Sequence, residues 1–283
     1  MREPHIREIV CLEPSALALR LKGQRHLTLL ESVMRSEHLG RYSFLACNPA
    51  ATIEVNAKGT FFNGVPHRKS ALTLIDRIIS ENRQQHIAGL PPFQGGLAGY
   101  ISYDYGRRLE PHAKIPDFTP VCPDLILHHY DCVAAFDHMQ ERAWIISETP
   151  QRADEMEELL RHRPKVTGGH AIEGWQSNFT REDYEKAIAR TVELILAGDI
   201  FQANITQMFS APIPPGFDPL GFYRVLRGKN PATFAAYMDY GSIQIASSSP
   251  ERLLRYDGTT VEARPIKGTR RRDSDPVRDA NLI

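Results

Sequence analysis

Residues 125–147 read LILHHYDCVAAFDHMQERAWIIS and decide the fold class of this chain. The stretch contains three apolar, β-rich runs at 125–130, 132–136 and 143–147, and only short polar segments separate them. A helix has no room between consecutive runs, so the strands can turn back on one another instead of forming βαβ units. The pattern therefore predicts an α+β protein rather than a doubly wound parallel sheet.

The sequence before this stretch predicts further strands and one helix. A predicted strand at 52–57 is followed by Asn63–Gly64, the dipeptide typical of a two-residue hairpin. Apolar residues recur at helical spacing in 70–79, where Ser70 can cap the helix. The glycine-rich run 95–103 is predicted as a strand, because missing side chains let a neighbouring backbone approach closely.

The sequence after this stretch predicts a linker and a second domain. Charge rises and apolar content falls from Glu148 onward, and turn-forming residues follow. We therefore predict an N-terminal domain at 1–147, a linker at 148–174 and a second domain at 175–283. Its predicted elements are a capped helix at 180–198, a strand at 201–209, a helix at 220–227, a strand at 242–246 and a hairpin at 253–263. Together the elements predict layered antiparallel β-sheets flanked by helices.

The composition excludes several classes of protein. The chain has 283 residues, 42% of them hydrophobic, which is too apolar for a disordered chain. Basic and acidic residues number 34 each, so no overall field attracts nucleic acid or a membrane surface. We find no apolar run of about 20 residues and no secretory leader. The four cysteines lack metal-site spacing, so we expect free thiols and a cytoplasmic protein.

Glu251 and Lys267 flank one predicted hairpin and are the strongest candidates for chemistry. Glu251 directly follows a predicted strand, and Lys267 ends a later one between Arg264 and Arg270. Positive neighbours lower the pKa of a lysine amine, which a nucleophilic lysine requires. A structural salt bridge between the two side chains explains the same pattern. The residues alone leave both interpretations open.

Five motifs, in this order along the chain, resemble the chorismate-utilising enzymes, the family of anthranilate synthase and aminodeoxychorismate synthase large subunits. They occupy residues 29–32 (LLES), 93–100 (FQGGLAGY), 198–204 (GDIFQAN), 249–253 (SPERL) and 265–270 (PIKGTR). Within the family, Pro-Ile-Lys-Gly-Thr resembles aminodeoxychorismate synthase component I, whereas Pro-Ile-Ala-Gly-Thr is the anthranilate synthase form. The resemblance also implies the anthranilate synthase component I fold.

The resemblance implies an amination of chorismate. Ammonia from a glutamine amidotransferase subunit would replace the 4-hydroxyl group and give 4-amino-4-deoxychorismate, for 4-aminobenzoate and folate synthesis. By this resemblance Lys267 is the nucleophile on C2, and Glu251 is the acid that protonates the leaving oxygen. Gln202 and Thr269 are candidate substrate-pocket residues. Gln202 stands where isochorismate-forming relatives place a basic lysine, which argues against that reaction here.

The resemblance further implies a tryptophan pocket in the first domain. The residues that match its walls are Ser32, Leu39, Gly40, Arg41, Tyr42, Thr233, Phe234 and Ala235. Thr233 and Ala235 replace the proline and methionine of the anthranilate synthase pattern. Because both are lost, feedback inhibition is in doubt, and a structural ligand or an empty site remains open.

The family pattern continues past the end of this sequence, so we expect a C-terminally truncated chain. A Glu-Asn-x-x-x-x-Asp-Leu segment, a Thr-Gly-Ala-Pro-Lys motif and the carboxylates for the Mg²⁺ cofactor have no match in 1–283. We therefore expect this chain alone to be inactive, with no metal site of its own. The alternatives are anthranilate synthase component I, which Lys267 disfavours, and a non-catalytic fragment that binds tryptophan and docks a partner.

Overall fold

A computed structural model describes residues 2–35, 39–110, 121–162, 172–266 and 273–280. The strands are β1 (His5–Ile9), β2 (Leu27–Glu31), β3 (Tyr42–Ala46), β4 (Ala51–Asn56), β5 (Gly59–Phe62), β6 (Val65–His67), β7 (Gly96–Ile101), β8 (Leu125–Tyr130), β9 (Cys132–Asp137), β10 (Arg142–Ser147), β11 (Gln176–Ser177), β12 (Phe209–Ser210), β13 (Phe234–Asp239), β14 (Gln244–Ser249), β15 (Arg255–Tyr256) and β16 (Val261–Glu262). The helices are α1 (Pro14–Arg20), α2 (Ala71–Glu81), α3 (Gly106–Leu109), α4 (Pro150–Arg161), α5 (Arg181–Ala197), α6 (Pro219–Lys229) and α7 (Pro276–Ala280), with one 3₁₀ turn at Tyr103–Tyr105. The chain packs as two units, unit 1 with residues 1–166 and 222–283 and unit 2 with residues 167–221.

A seven-stranded sheet, sheet A, is the larger sheet of unit 1. Its strand order is β1-β10-β9-β3-β2-β13-β14, and every neighbouring pair is antiparallel. In the register of β2 with β13, Glu31 lies opposite Ala235 and Leu29 lies opposite Tyr237. The sequence analysis places β13 and β14 in a second domain, and in the structure they extend the sheet of the first. The domain limits stay a prediction.

A five-stranded antiparallel sheet, sheet B, has the order β6-β5-β4-β8-β7. The predicted hairpin at Asn63–Gly64 is confirmed, and both residues have positive φ angles, 51° and 76°, as a two-residue turn of this kind requires. Gly99 shows why β7 is rich in glycine. A Cβ at this position would collide with the carbonyl oxygen of Ile126 on the neighbouring strand.

Sheets A and B pack face to face, and helices cover their outer faces. Ile126 of sheet B packs with Ala236 and Met238 of sheet A. Helix α2 packs its buried Leu74 and Ile78 on the other face of sheet B. On β9 of sheet A, Cys132 points outward, where its thiol contacts the Arg152 carbonyl oxygen of α4 at 3.4 Å. The predicted fold class, layered antiparallel sheets flanked by helices, is confirmed.

A buried group of polar rings lies between the two sheets. His128 of β8 is fully buried and stacks on His26, with ring centroids 4.1 Å apart. Its Nδ1 lies 2.9 Å from the hydroxyl of Thr52. Among the described residues, neither His128 Nε2 nor His26 Nδ1 has a hydrogen-bond partner. Burial lowers the pKa of His128 to about 3, so this ring is neutral in the folded protein.

Unit 2 contains α5 and the short ladder of β11 with β12. The predicted helix cap is confirmed, because the hydroxyl oxygen of Thr180 accepts a hydrogen bond from the Asp183 N–H at 3.1 Å. Gly198 closes the helix with a left-handed φ of 83°. The Tyr184 hydroxyl donates to the Ile205 carbonyl oxygen at 3.1 Å and holds the following loop to the helix.

One prediction of local structure is wrong, and several elements, α1 among them, are missing from the predictions. The predicted strand at 201–209 is a loop up to Met208, and Phe201 within it is 91% exposed, so no packed sheet face stabilises an extended run. Helix α1 was not predicted, because seven residues are too few to show helical periodicity. In the described ranges, none of the helices has the length and apolar character that a membrane crossing requires.

Candidate functional site

The residues predicted for the tryptophan pocket lie around one cavity of unit 1, with a volume of about 590 Å³. The predicted residues in the lining are Ser32, Leu39, Gly40, Arg41, Tyr42, Thr233, Phe234 and Ala235. Other described residues in the lining, not predicted from the sequence, are Leu30, Glu31, Phe44, Pro92, Ala236, Arg252, Arg255 and Arg264. Three residues of the predicted set lie on strands β3 and β13 of sheet A, and the other five lie in the segments next to β2, β3 and β13. Binding of tryptophan stays a prediction.

Glu31, at the end of β2, holds a buried ionic group beside the cavity. Its Oε2 accepts hydrogen bonds from the Tyr223 hydroxyl and from Arg227 Nε, both at 2.8 Å. Arg227 Nη2 also donates to Glu31 Oε1 at 3.0 Å and to Glu13 at 2.6 Å. Burial raises the pKa of the Glu31 carboxyl group, although Tyr223 and Arg227 oppose the shift. Glu31 is therefore committed to α6 rather than free for a ligand.

Ser32, the next residue, is fixed by β3. Its hydroxyl donates to the Tyr42 carbonyl oxygen at 2.7 Å, and its N–H donates to the Ser43 hydroxyl oxygen at 3.0 Å. Ser43 in turn lies 2.6 Å from Nε2 of His138. Burial lowers the pKa of His138, and the charge of Arg35 adds to this shift. The Ser32 hydroxyl thus has its hydrogen engaged and its oxygen lone pairs available to the cavity.

Arg41 reaches the cavity from the segment before β3 and is oriented by Asp137. Its Nε and Nη2 donate to the two carboxylate oxygens of Asp137 at 2.7–3.2 Å. Burial by itself would raise the pKa of Asp137. The hydrogen bonds from Arg41 and from the Gln140 and Met139 N–H groups outweigh burial and hold that pKa below its usual value. This ion pair therefore belongs to the wall of the cavity in the folded protein.

The hairpin of β15 and β16 brings three arginines to the opposite side of the lining. Arg252 and Arg264 both form ion pairs with Glu262, the second at 2.8 Å. The guanidinium carbon of Arg252 lies 5.5 Å from the ring centroid of Phe234, a cation–π distance. Arg255 pairs with Glu262 through the backbone ladder, and its side chain makes no hydrogen bond to a described residue. Arg252 belongs to the Ser-Pro-Glu-Arg-Leu motif, and Arg264 directly precedes the Pro-Ile-Lys-Gly-Thr-Arg motif.

The predicted catalytic residues are not brought together by the described part of the chain. Glu251 follows β14 directly, as predicted, and is exposed, with its backbone N–H directed at the Ser249 hydroxyl. Lys267 and Thr269 lie outside the described residues. Gln202 is exposed in the loop of unit 2. The nucleophile and acid assignments of Lys267 and Glu251 stay predictions.

The described residues do not fit a magnesium site. Across the ranges that the structure describes, no three His, Cys, Asp or Glu side chains are grouped so that they could hold a metal ion. Mg²⁺ prefers several oxygen ligands in near-octahedral geometry. We therefore derive no step through Mg²⁺ from this chain.

The comparisons with known proteins agree with this fold. The family described as chorismate binding enzyme matches residues 28–283. Anthranilate synthase component 1 of Thermus thermophilus is 34% identical over 268 residues, which cover 90% of this chain and 56% of the relative. The Pseudomonas putida protein of the same name is 31% identical, over 95% of this chain and 59% of the relative. The crystal structure of anthranilate synthase component I from Streptococcus pneumoniae TIGR4 superposes with a TM-score of 0.66 at 27% identity, over 90% of this chain and 60% of that one.

This chain belongs to the chorismate binding enzyme family. Its similar relatives carry the name anthranilate synthase component 1, so the comparisons support the stated alternative better than aminodeoxychorismate synthase. The chain spans about 60% of the length of these relatives. The family is therefore established, and the reaction and its product are matters for a proposal.

Proposed function

We propose that this chain is part of a large subunit that aminates chorismate, and that the product is anthranilate. The match to a relative named anthranilate synthase component 1 over 90% of the chain carries the proposal. Two features of the chain support it. The order of the family motifs is retained, and Glu251 is exposed directly after β14, where it can reach a substrate.

A second candidate product is 4-amino-4-deoxychorismate, which Lys267 favours. Lysine stands at the third position of Pro-Ile-Lys-Gly-Thr, where the anthranilate form has alanine. In this second reaction the Lys267 amine attacks C2 of chorismate, and the bond from C4 to the hydroxyl breaks as Glu251 donates a proton to the leaving oxygen. Ammonia then attacks C4 and the bond to Lys267 breaks, which returns the lysine amine.

Both candidates need a source of ammonia. In the proposal a glutamine amidotransferase subunit supplies it, because none of the four cysteines of this chain stands in a Gly-x-Cys-x-Gly turn. Free ammonium can replace that subunit in an assay. Product identity can thus be tested without the partner.

The test is a chimera in which this chain replaces the matched 56% of the Thermus thermophilus relative. The chimera is incubated with chorismate, ammonium and Mg²⁺, and anthranilate is measured by its fluorescence. Aminodeoxychorismate is measured in parallel as 4-aminobenzoate after addition of a lyase. We expect anthranilate. A chimera that is folded by circular dichroism and binds chorismate, yet forms neither product, would refute the proposal.

Lys267→Ala in the chimera separates the two candidates, because it creates the anthranilate form of the motif. Anthranilate formation should survive this change, whereas formation of aminodeoxychorismate through a lysine nucleophile should be abolished. Glu251→Gln should lower either activity by about 10²–10⁴-fold if Glu251 is the general acid. Glu158→Gln, at an exposed carboxylate of α4, is the matched control and should leave activity unchanged.

A further inference from the structure

Two of the four cysteines meet on one face of sheet A, although they lie far apart in the chain. The register of β3 with β9 places Leu45 opposite Ala134. Continued by two residues, this register places Cys47 opposite Cys132. Side chains at directly opposite positions of an antiparallel pair lie on the same face of the sheet, with their Cβ atoms about 4.5–5.5 Å apart. Sheet register therefore makes the two thiols neighbours, which their spacing in the sequence does not show.

A third sulfur atom meets the two thiols from helix α4. Met156 lies on the buried face of α4 and lines a small cavity of about 10 Å³ together with Cys47 and Cys132. The three side chains are buried, with exposed fractions of 1–3%. A cavity of this size has room for about one water-sized occupant. Two thiols and one thioether thus line a single small cavity between sheet A and α4.

The polar groups of the same lining are committed to other partners. Arg152 donates to the two carboxylate oxygens of Asp131 at 3.0 and 3.1 Å, and to the Asn48 carbonyl oxygen at 2.9 Å. The side-chain oxygen of Asn48 accepts from the Arg25 N–H at 3.1 Å. Glu155 forms an ion pair with Arg152. The lone pairs of the sulfur atoms therefore remain for an occupant.

This donor set selects a soft metal ion. A buried water molecule needs two to four polar partners, whereas thiol and thioether sulfur are weak hydrogen-bonding groups. Thiolate and thioether ligands together suit Cu(I), whereas Zn²⁺ is held by cysteine, histidine and carboxylate ligands, four of them in structural sites. In the part of the chain that the structure describes, no three side chains of those zinc-binding types are grouped. A thioether as the third ligand thus favours Cu(I) over Zn²⁺.

Arg152 gives the cavity a positively charged neighbour. Burial raises the pKa of the Cys47 thiol and of the Cys132 thiol to about 12, and the charge of Arg152 opposes the shift at both. The two thiols are therefore protonated until a metal ion displaces their protons. A monovalent ion bound by two thiolates has a net charge of −1, which the guanidinium group in the lining stabilises.

We propose that Cys47, Cys132 and Met156 form a binding site for one Cu(I) ion. Binding forms a bond from the ion to each thiolate sulfur and a third bond to the neutral thioether, and the two thiol protons pass to water. No electron is transferred. The ion enters beside Asn48 and Glu155, where the lining reaches the protein surface. This inference is independent of the proposed amination, because it uses none of the residues assigned to that reaction.

The test starts by removing the other two thiols. Cys11 and Cys122 are partly exposed and can each hold copper loosely, so the double variant Cys11→Ser/Cys122→Ser serves as the reference protein. It is titrated with Cu(I) in the absence of oxygen, in competition with bathocuproine disulfonate, a chelator whose Cu(I) complex is coloured. We expect one equivalent of copper per chain. The loaded protein should also have a higher urea midpoint, because a ligand that binds only the folded state stabilises it.

Substitution of the ligands tests each assignment in the reference protein. Cys132→Ala should lower the affinity for Cu(I) by more than about a hundredfold, because even outer-shell partners of a metal contribute about tenfold to a hundredfold. Met156→Leu keeps the volume of the side chain, so it should fold and should lower the affinity about tenfold. Met139→Leu, at a methionine that is 65% exposed, is the matched control and should leave the affinity unchanged.

Two further measurements separate loss of the site from loss of the fold. Urea curves of the metal-free variants show whether each one is folded before copper is added. X-ray absorption at the copper edge of the loaded reference protein should show sulfur neighbours and no nitrogen neighbours, which a merely structural role of the three residues would not produce.

Three outcomes would overturn the inference. In the first, the reference protein takes no copper from the chelator. In the second, folded Cys132→Ala binds Cu(I) as tightly as the reference protein, or Met156→Leu binds it as tightly as Met139→Leu. In the third, an equal concentration of Zn²⁺ displaces the bound Cu(I), which would indicate nitrogen or oxygen ligands in place of the thioether.

Discussion

The two sides of the cavity in unit 1 each contain a carboxylate paired with arginine, which is buried on one side and partly exposed on the other. On the sheet side, Glu31 is held by Tyr223 and Arg227, and its side chain is 1% exposed. On the hairpin side, Glu262 is held by Arg252 and Arg264, and its side chain is 29% exposed. Burial raises the pKa of Glu31, whereas the hydrogen bond from Arg264 lowers the pKa of Glu262. The difference teaches that burial, and not the number of partners, decides how strongly such an ionic group should contribute to stability.

The largest loss of stability is expected from a substitution on the sheet side. Glu31→Gln should destabilise the protein by about 3–5 kcal/mol, because it leaves the guanidinium of Arg227 without its main buried partner. The free energy of unfolding is measured by urea denaturation with linear extrapolation. The same substitution on the hairpin, Glu262→Gln, is the control and should not move the urea midpoint measurably. Equal losses from the two substitutions would remove the distinction between the two sides.

The buried imidazole of His128, which lies between the two sheets, should make the free energy of unfolding fall in acid. The pKa of His128 is lowered by burial from 6.5 to about 3, so the unfolded chain binds a proton below about pH 6.5 that the folded chain does not. Stability is therefore fully present above that pH and is lost as the pH falls, by about 1.4 kcal/mol per pH unit. Between about pH 6.5 and 4.5 the loss amounts to about 2–3 kcal/mol.

His128→Phe isolates this contribution, because phenylalanine keeps a ring between the sheets and does not titrate. Urea unfolding of both proteins across this pH range should show a shallower acid dependence for the variant. Other groups titrate in both proteins and cancel in the difference. Parallel stability curves for the two proteins would show that the His128 ring titrates as freely in the fold as in the unfolded chain.

The local features of the fold could be predicted from the sequence. The turn at Asn63–Gly64 and the helix caps at Ser70 and Thr180 depend on residues within three positions of each other. Alternating patterns predict most strands of unit 1, and helical spacing predicts α2 and α6, for the same reason. The family motifs predict the cavity residues on and next to β2, β3 and β13, and the structure brings these residues together.

The ionic groups could not be predicted, because sheet register decides them. Arg227 meets Glu31 although 196 residues separate them in the chain. His26 stacks on His128 only because sheets A and B pack face to face. Arg255 lies in a two-residue strand, Arg252 and Arg264 flank the hairpin, and no spacing rule relates the three to Ser32. Long-range pairing of this kind is set by the fold and leaves no periodic signal in the sequence.

A smaller loss of stability is expected from removal of one hydroxyl on the sheet side. Tyr223→Phe deletes a 2.8 Å hydrogen bond to the buried carboxylate of Glu31 and should cost about 1.5–2 kcal/mol, as expected for a hydrogen bond to a charged group. Tyr256→Phe is the matched control on the hairpin, where the hydroxyl donates to the Gly258 carbonyl oxygen and the residue is exposed. Urea curves of the two variants should differ, and coincident curves would contradict the assignment.

The smallest effect on stability is expected from Glu262→Gln. Glu262 pairs with Arg252 and Arg264 through partly exposed side chains, and ion pairs of this kind contribute little to folding. The free energy of unfolding should therefore fall by less than about 0.5 kcal/mol. Even this small loss should disappear at high salt, because screening weakens interactions between exposed charges. Urea curves at two salt concentrations measure both changes, and a loss as large as that of Glu31→Gln would mean that exposure does not separate the two sides of the cavity.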